Sequence, residues 1–534
     1  MLKRACCAAT LAVAVFFVPG AGRAAGPPPS AAITAAVDDA VARYDLPGIA
    51  VGVVVDGEVR QVEVRGEIAA GSGEAVDRHT IFKIASNTKA MTAALLARQV
   101  DAGLLAWDDP VVKHLPGFRM YEDWVTREIQ VRDLLIHNSG LGPGAGDLML
   151  WPEPNAFTRD EVVAGLAHLK PRWSFRSRYA YDNTLYIVAG EVAAAAGGVP
   201  YDELMRREVF APLGLERCRV GAWNASEAGN VAQPHARRDG RNVAVRTDVA
   251  TIADMPMAAA GGIRCSLDDM LAWARMWLQP ERHGLVAGKP WLSATQRDAA
   301  WVAHMPMPLS RRMRAWDGSH FSAYGYGWRL TDVDGTWKVS HTGTLSGMYS
   351  ALTLLPEKGA GFVLLINGDA DEARTVLNQV LVKHFTAAGE ARTVAYYADA
   401  LAAERAAARD DRAAGVAAPL GGTTPRTPVA PAAMARWLGV YRDPWFGEAS
   451  VCARGDEVRM VAAKSPRLSG RVMASGGRML VEWDTLDSDA HAWLDFSAGE
   501  GGGAARLAMA KVDPDADFSY DFEDLAFVRV GDCP

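Results

Sequence analysis

Ser86 and Lys89 stand three residues apart in the stretch Ile84-Ala85-Ser86-Asn87-Thr88-Lys89. An apolar series follows at once, Met91, Leu95, Leu96, Val100 and Leu104, with the recurrence of a helix. Residues three apart lie on one helix face, so the Lys89 amine should point back at the Ser86 hydroxyl. Ser86 would then sit at a helix N-terminus, where unpaired amides and the helix dipole favour negative charge. A serine needs a neighbouring base to become a nucleophile, and the carbonyl oxygen it attacks becomes an anion. One short segment can therefore supply nucleophile, amine and part of an oxyanion site. Taken alone, Ser-x-x-Lys is more often a helix cap followed by a surface lysine, so the weight must come from elsewhere in the chain.

Two further polar clusters have chemistry to offer. Arg178-Tyr179-Ala180-Tyr181-Asp182-Asn183 is a polar turn that leads into a helix-like run through Leu185, Ile187, Val188 and Val192. His341-Thr342-Gly343 ends a β-rich run that begins at Trp337. Tyr181 can share a serine's proton and pass it on, and Asn183 can hold an amine or a substrate amide. Their structural alternatives are a buried aromatic with a satisfied hydroxyl for Tyr181, a helix cap for Asn183 and a strand residue for His341. His137, in His137-Asn138-Ser139-Gly140-Leu141, reads as a turn residue.

The elements that must position these groups are legible in outline. Ser30 to Tyr44 has a helical apolar face through Ile33, Val37, Ala40, Val41 and Tyr44. Ile49 to Val55, Asp56-Gly57 and an alternating run to Val64 predict a hairpin. Residues from about 90 to 330 are rich in helical patterns and long connections, with Ser266 and Asp269 placed to open a helix. Strand patterns return at Trp337 to Ser340, Tyr349 to Leu355 and Gly361 to Ile366, and a helix-like stretch runs from Glu372 to Phe385. Strands at both ends and helices between predict an α/β (α+β) unit. It would have one largely antiparallel sheet flanked by terminal helices, with a helical subdomain inserted. Residues 387–430 read as a helix and linker, and 431–534 as a small all-β sandwich or barrel of short strands.

At 534 residues, with 49% hydrophobic and 22% charged residues, the chain suits a soluble protein of two domains. A net charge of -7 with no basic run argues against a nucleic-acid partner. Lys3 and Arg4, the apolar run Ala5 to Val18 and the small residues to Ala25 read as a signal peptide spanning 1–24, with a retained anchor as the alternative. The first domain would then be 25–386, with no membrane span after cleavage and a periplasmic or secreted location. Cys218, Cys265, Cys452 and Cys533 remain, and pairing within each domain, Cys218–Cys265 and Cys452–Cys533, is the simplest of three arrangements. No histidine spacing suggests zinc. Asp513-x-Asp515-x-Asp517 lacks the glycine and glutamate of a calcium loop and reads as a solvated acidic turn. The glycine run 499–503 follows no dinucleotide-binding pattern, so neither metal nor cofactor is expected.

In their order along the chain, Ser86-x-x-Lys89, Tyr181-x-Asn183 and His341-Thr342-Gly343 resemble the motifs of the serine β-lactamase, DD-peptidase and esterase superfamily, in its class C branch. Pro212-Leu213-Gly214-Leu215, Gly261-Gly262 and Gly325-Tyr326-Gly327-Trp328 add to the likeness, which covers roughly 30 to 385. The resemblance implies an acyl-enzyme on Ser86, with Lys89 and Tyr181 sharing its proton. It implies substrate contacts from Asn183, His341, Thr342, Gly343 and Thr344, and an oxyanion hole from the amides of Ser86 and Thr344. His341 stands where many relatives have lysine, which tilts the expectation toward a D-amino-acid peptidase or esterase over a β-lactamase. A sensor or scaffold that acylates without turnover is the rival of another kind. The substrate would be a small peptide, ester or β-lactam. Asp443-Pro444-Trp445-Phe446-Gly447 and Asp517 to Phe522 resemble the accessory β-domain of such proteins. That likeness implies an accessory domain with no chemistry attached, and binding a cell-wall or protein partner is one role open to it.

Overall fold

The computed structural model describes residues 30–245, 250–345, 347–415, 425–485, 490–499 and 504–534. The expected leader 1–24, part of the connection before 430 and most of the 499–503 glycine run lie outside the described residues. No described helix is long and apolar enough to cross a membrane.

The first unit is built on an eight-stranded antiparallel sheet. Its order is Met305–Pro306, Ser322–Tyr324, Arg329–Val333, Thr336–Leu345, Met348–Leu355, Ala360–Ile366, Gly48–Val55 and Glu58–Gly66. The N-terminal hairpin thus adds to strands some 300 residues later, with Val53 opposite Phe362. Its turn is the expected one: Asp56 and Gly57 have φ of 51° and 74°, as a two-residue hairpin requires.

Gly48–Val55 is buried along its whole length because both faces of the sheet are covered. Ile49, Val51, Val53 and Val55 face one core, shared with the helices Ser30–Tyr44, Asp371–Thr386 and Val394–Gly415. Ala50 and Val54 face the other, shared with the helical insert. Gly52 is needed there, since a β-carbon would lie 2.6 Å from Leu271 on the helix Leu267–Leu278. That helix opens at Ser266, whose hydroxyl accepts the Asp269 amide. The helix Val394–Gly415 buries Tyr397 and Leu401 in the first of these cores, so it forms an outer layer of the first unit.

The C-terminal unit is an eight-stranded antiparallel barrel. The strands Gly439–Asp443, Gly447–Arg454, Glu457–Ala462 and Ser469–Ser475 close through Arg478–Trp483, Ala492–Ser497, Arg506–Lys511 and Phe527–Gly531. Pairing of Ser469–Ser475 with Arg478–Trp483 completes the ring, so no long strand edge is left open. Ser469–Ser475 carries only the short apolar run Val472-Met473-Ala474, with Ser, Gly and Arg before it, so the sequence gives no clear strand there. Both expected disulfides are present, Cys218–Cys265 and Cys452–Cys533. The first tethers the short strand Arg264–Cys265, which pairs with Phe82–Lys83 just ahead of Ser86. The second ties the chain end to Gly447–Arg454 in the barrel wall.

A Cys452→Ser, Cys533→Ser double variant opens a covalent loop of 81 residues. It should lose about 2–5 kcal/mol of barrel stability, read as a lower urea midpoint for the barrel transition.

Candidate functional site

The three motifs meet at one cavity of about 590 Å³, bordered by Ser86, Tyr181, Asn183, Thr342 and Thr344. Ser86 lies in a single turn, Ala85–Asn87, that runs into the helix Thr88–Asp101. Ala85 adopts φ of 46°, a left-handed value rare for a residue with a β-carbon. Such strain costs about 1 kcal/mol or more and is kept only where neighbours over-determine it. Here they do. Ser350 Oγ donates to the Ile84 carbonyl at 2.7 Å and receives Asn87 Nδ2 at 2.8 Å. Gly343 lets its strand press against this turn, since a β-carbon there would sit 2.2 Å from the Ile84 carbonyl oxygen. Gly327 does the same for the helix start, 2.7 Å from the Lys89 carbonyl.

Lys89 is fully buried, and its amine has three oxygen neighbours. It donates to Ser86 Oγ at 3.2 Å, Asn183 Oδ1 at 2.7 Å and the Ala260 carbonyl at 2.9 Å. No described carboxylate forms an ion pair with it, so burial and then Arg329 bring its pKa down to about 7, against the pull of Asp147 and Asp182. The amine also lies 4.9 Å from the centre of the Tyr181 ring. Burial pushes the Tyr181 phenol up to about 12, although Arg329 and the Ser86 hydroxyl draw it down. Asn183 completes the chain by donating to Asp147 Oδ2 at 2.8 Å.

His341 takes a different place from the other motif residues. It is buried behind the cavity, accepting from the Tyr324 hydroxyl through Nε2 at 2.8 Å and donating from Nδ1 to the Thr342 carbonyl at 2.7 Å. Burial, Arg329 and Lys89 hold its pKa well below the usual histidine value, so the ring is neutral. Gly343 is likewise off the cavity lining and accepts Arg374 Nη1 at its carbonyl, at 2.8 Å. His137 is a turn residue with φ of 60°. It also packs at a tilt against Tyr181, ring centres 4.3 Å apart, and accepts the Asp182 amide at Nδ1.

Three features escaped the sequence reading. Arg329 lines the cavity, donating to Thr342 Oγ1 at 2.8 Å, with Nε unpartnered and no described carboxylate against it. Asp147 is a lone acid in a loop and carried no signal. The third is the acidic turn near 515. Asp513 and Asp515 are exposed as expected, yet Asp517, Phe518, Ser519 and Tyr520 line the same cavity as Ser86. Only the docking of the barrel brings them there. Among the described residues no cluster of side chains has the make-up of a metal site.

A family model described as Beta-lactamase matches residues 33–384. The chain belongs to that family of serine hydrolases. A second model, a domain of unknown function (DUF3471), matches residues 423–529. The chain is 30% identical over 339 residues to penicillin-binding protein 4 of Amycolatopsis lactamdurans, covering 61% of this chain and 82% of the relative. It is 24% identical over 237 residues to the D-alanyl-D-alanine-carboxypeptidase/endopeptidase AmpH of Escherichia coli, covering 43% of this chain and 57% of that one. The fold is similar to that of the octameric penicillin-binding protein homologue from Pyrococcus abyssi, with TM-score 0.56 at 18% identity, over 92% of this chain and 98% of that one.

Gly343→Ala should displace the Ala85–Asn87 turn or its strand. The expected result is a loss of about 1–3 kcal/mol of stability in thermal or urea unfolding, with a fall in ester hydrolysis beyond what the unfolded fraction explains.

Proposed function

We propose that this protein is an exported hydrolase that forms an acyl-enzyme on Ser86 and cleaves peptides beside a free carboxylate, D-amino-acid peptides above all. The observation that carries the reading is the Lys89 amine, fully buried with its pKa brought down to about 7 and in contact with the Ser86 oxygen at 3.2 Å. Export is supported by the leader pattern in 1–24 and by two disulfides.

In the first step Ser86 Oγ bonds to the substrate carbonyl carbon while its proton passes to Lys89 Nζ. Of the two candidate bases, the lysine is the one poised to accept, since the phenol of Tyr181 stays protonated at neutral pH. The carbonyl oxygen becomes an anion beside the amides proposed for it, those of Ser86 and Thr344. When the carbon–nitrogen bond breaks, Tyr181 delivers a proton to the leaving amine and is refilled from Lys89. Water then repeats the sequence on the ester, freeing Ser86 and the acid product. Asn183 keeps the amine on line throughout.

Arg329 narrows the substrate class. Its guanidinium is half-buried at the cavity wall with no described carboxylate beside it, a position that favours an arriving anion. It faces the cavity beside Thr342, whereas His341 is neutral and behind the wall. A substrate carboxylate held by Arg329 and the Thr342 hydroxyl suits peptides, and β-lactams share that group. The name of the Escherichia coli relative supports the peptide side of this choice.

Ser86→Ala should lower turnover of a D-alanyl-D-alanine peptide by about 10³-fold or more and abolish the mass shift left by a fluorescent penicillin. Equal turnover in both proteins sinks the assignment, and nitrocefin hydrolysis faster than peptide cleavage moves it to β-lactamase. Arg329→Gln should raise KM for the carboxylate-bearing peptide about 10-fold or more while leaving p-nitrophenyl acetate nearly unaffected. Rate should also rise with pH through about 7, because the base is the deprotonated form of Lys89. A flat profile between pH 6 and 8 contradicts that role.

A further inference from the structure

The barrel meets the hydrolase unit along the helical insert. Apolar side chains of the two units join in one core, with Phe157 and Phe446 ring centres 5.7 Å apart. The Ala156 amide donates to the Lys464 carbonyl at 2.8 Å, Arg467 reaches the Glu153 carbonyl at 3.1 Å, and Arg172 pairs with Asp524 at 2.9 Å. Such contacts would serve any docked accessory domain. The segment 517–521 goes further.

Asp521 is buried, and both of its carboxylate oxygens are committed to the other unit. One accepts the Gly146 amide at 2.6 Å and the other the Leu148 amide at 3.0 Å. Those two amides flank Asp147. Asp147 in turn receives Asn183, and Asn183 receives the Lys89 amine. A line of direct contacts thus runs from a barrel carboxyl to the amine beside Ser86. Phe518 approaches the Tyr181 ring edge-on at 5.7 Å. Gly144 makes room for it, since a β-carbon there would sit 2.6 Å from the Phe518 carbonyl oxygen.

We infer that the barrel is a working part of the hydrolytic site: Asp521 positions Lys89 through the Gly146–Leu148 turn, Asp147 and Asn183, and Phe518 walls the cavity against Tyr181. This rests on the function proposed above. Asp521 and Asp147 touch no substrate and act through other residues, so they are positioning residues. Phe518 lines the cavity and bears on which substrates fit. The physical case is one of tolerances. The Lys89 amine must stay within hydrogen-bond reach of one oxygen, and an error near 1 Å can cost about 100-fold in rate. The 144–150 loop has little regular structure of its own beyond the turn Asp147–Met149. The two backbone hydrogen bonds that the Asp521 carboxyl accepts, at 2.6 and 3.0 Å, supply what the loop lacks.

The test uses the full chain with p-nitrophenyl acetate and a D-alanyl peptide, and compares kcat with KM. Asp521→Ala should lower kcat by about 10- to 100-fold on both substrates with KM within about threefold of wild type. Asp521→Asn, which keeps one acceptor oxygen, should recover a large part of that loss. Where Asp521→Ala fails to fold, Asp521→Asn carries the test with a loss of about 3- to 10-fold. Arg172→Ala removes an ion pair of the same interface away from the Asp147 turn and should leave kcat within about twofold of wild type. Phe518→Ala should shift the ratio of KM values for peptide and small ester by about 10-fold. The inference is overturned if the Asp521 variant under test turns over within twofold of wild type. It is equally overturned if Arg172→Ala loses as much as that variant does, which would make the effect one of loosened docking. Ser86→Ala is run beside them. Its retention of wild-type turnover would discard the hydrolytic reading itself, whereas its loss alongside an active Asp521 variant discards only the role of the barrel.

Discussion

A buried amine with no carboxylate paired to it among the described residues is the constraint around which this molecule is arranged. Lys89 is neutralised by neither solvent nor a direct counter-charge, and is held by a serine oxygen, an amide oxygen and a backbone carbonyl. Each of those oxygens comes from a different part of the chain: the Ala85–Asn87 turn, the start of the helix Thr184–Gly197 and the segment Ala258–Gly261. Desolvation lowers the cost of the neutral amine relative to the ammonium, and the surrounding dipoles keep it aimed. The fold can therefore be read as a means of burying one amine while leaving one hydroxyl at the edge of a cavity.

The sheet and its two cores do this by rigidity. The strand Thr336–Leu345 presses Gly343 against the serine turn, and Met348–Leu355 contributes Ser350 beneath it. A left-handed alanine just before Ser86 is tolerated because these neighbours leave it no alternative. The Cys218–Cys265 link and the short strand it anchors stiffen the approach to the same turn from the other side. Strain at the turn is thus balanced by the packing of the sheet around it.

Charge is distributed in a way that separates two tasks often given to one residue. A lysine in the third motif would be a cation next to the serine. Here that position is His341, sealed into hydrogen bonds with Tyr324 and the Thr342 carbonyl and kept neutral. The cation is instead Arg329, one strand away, and its guanidinium reaches Thr342. A guanidinium stays charged when partly buried where an imidazole does not, which suits it to a cavity wall. The acids Asp147 and Asp521 make the converse case. Burial holds both above the usual carboxylate range, with Asp521 adding to the effect on Asp147 and Asp524 to that on Asp521.

By itself the sequence determined the local elements and the local chemistry. Helical and alternating periods placed Ser30–Tyr44, the Asp56-Gly57 hairpin, the strands around His341 and most barrel strands, because those patterns follow from backbone geometry over a few residues. Spacing three along a helix put Lys89 on Ser86, for the same reason. What the tertiary structure alone decided were contacts between residues far apart in the chain. The orientation of His341, the arrival of Arg329 at the cavity and the choice of barrel over sandwich depend on strand register and closure, which no short window encodes. The 517–521 segment is the sharpest case. As a string it is an acidic turn, and it comes to the wall of the cavity that holds Ser86 only because the barrel docks with Asp521 seated on the Gly146 and Leu148 amides, 375 and 373 positions away.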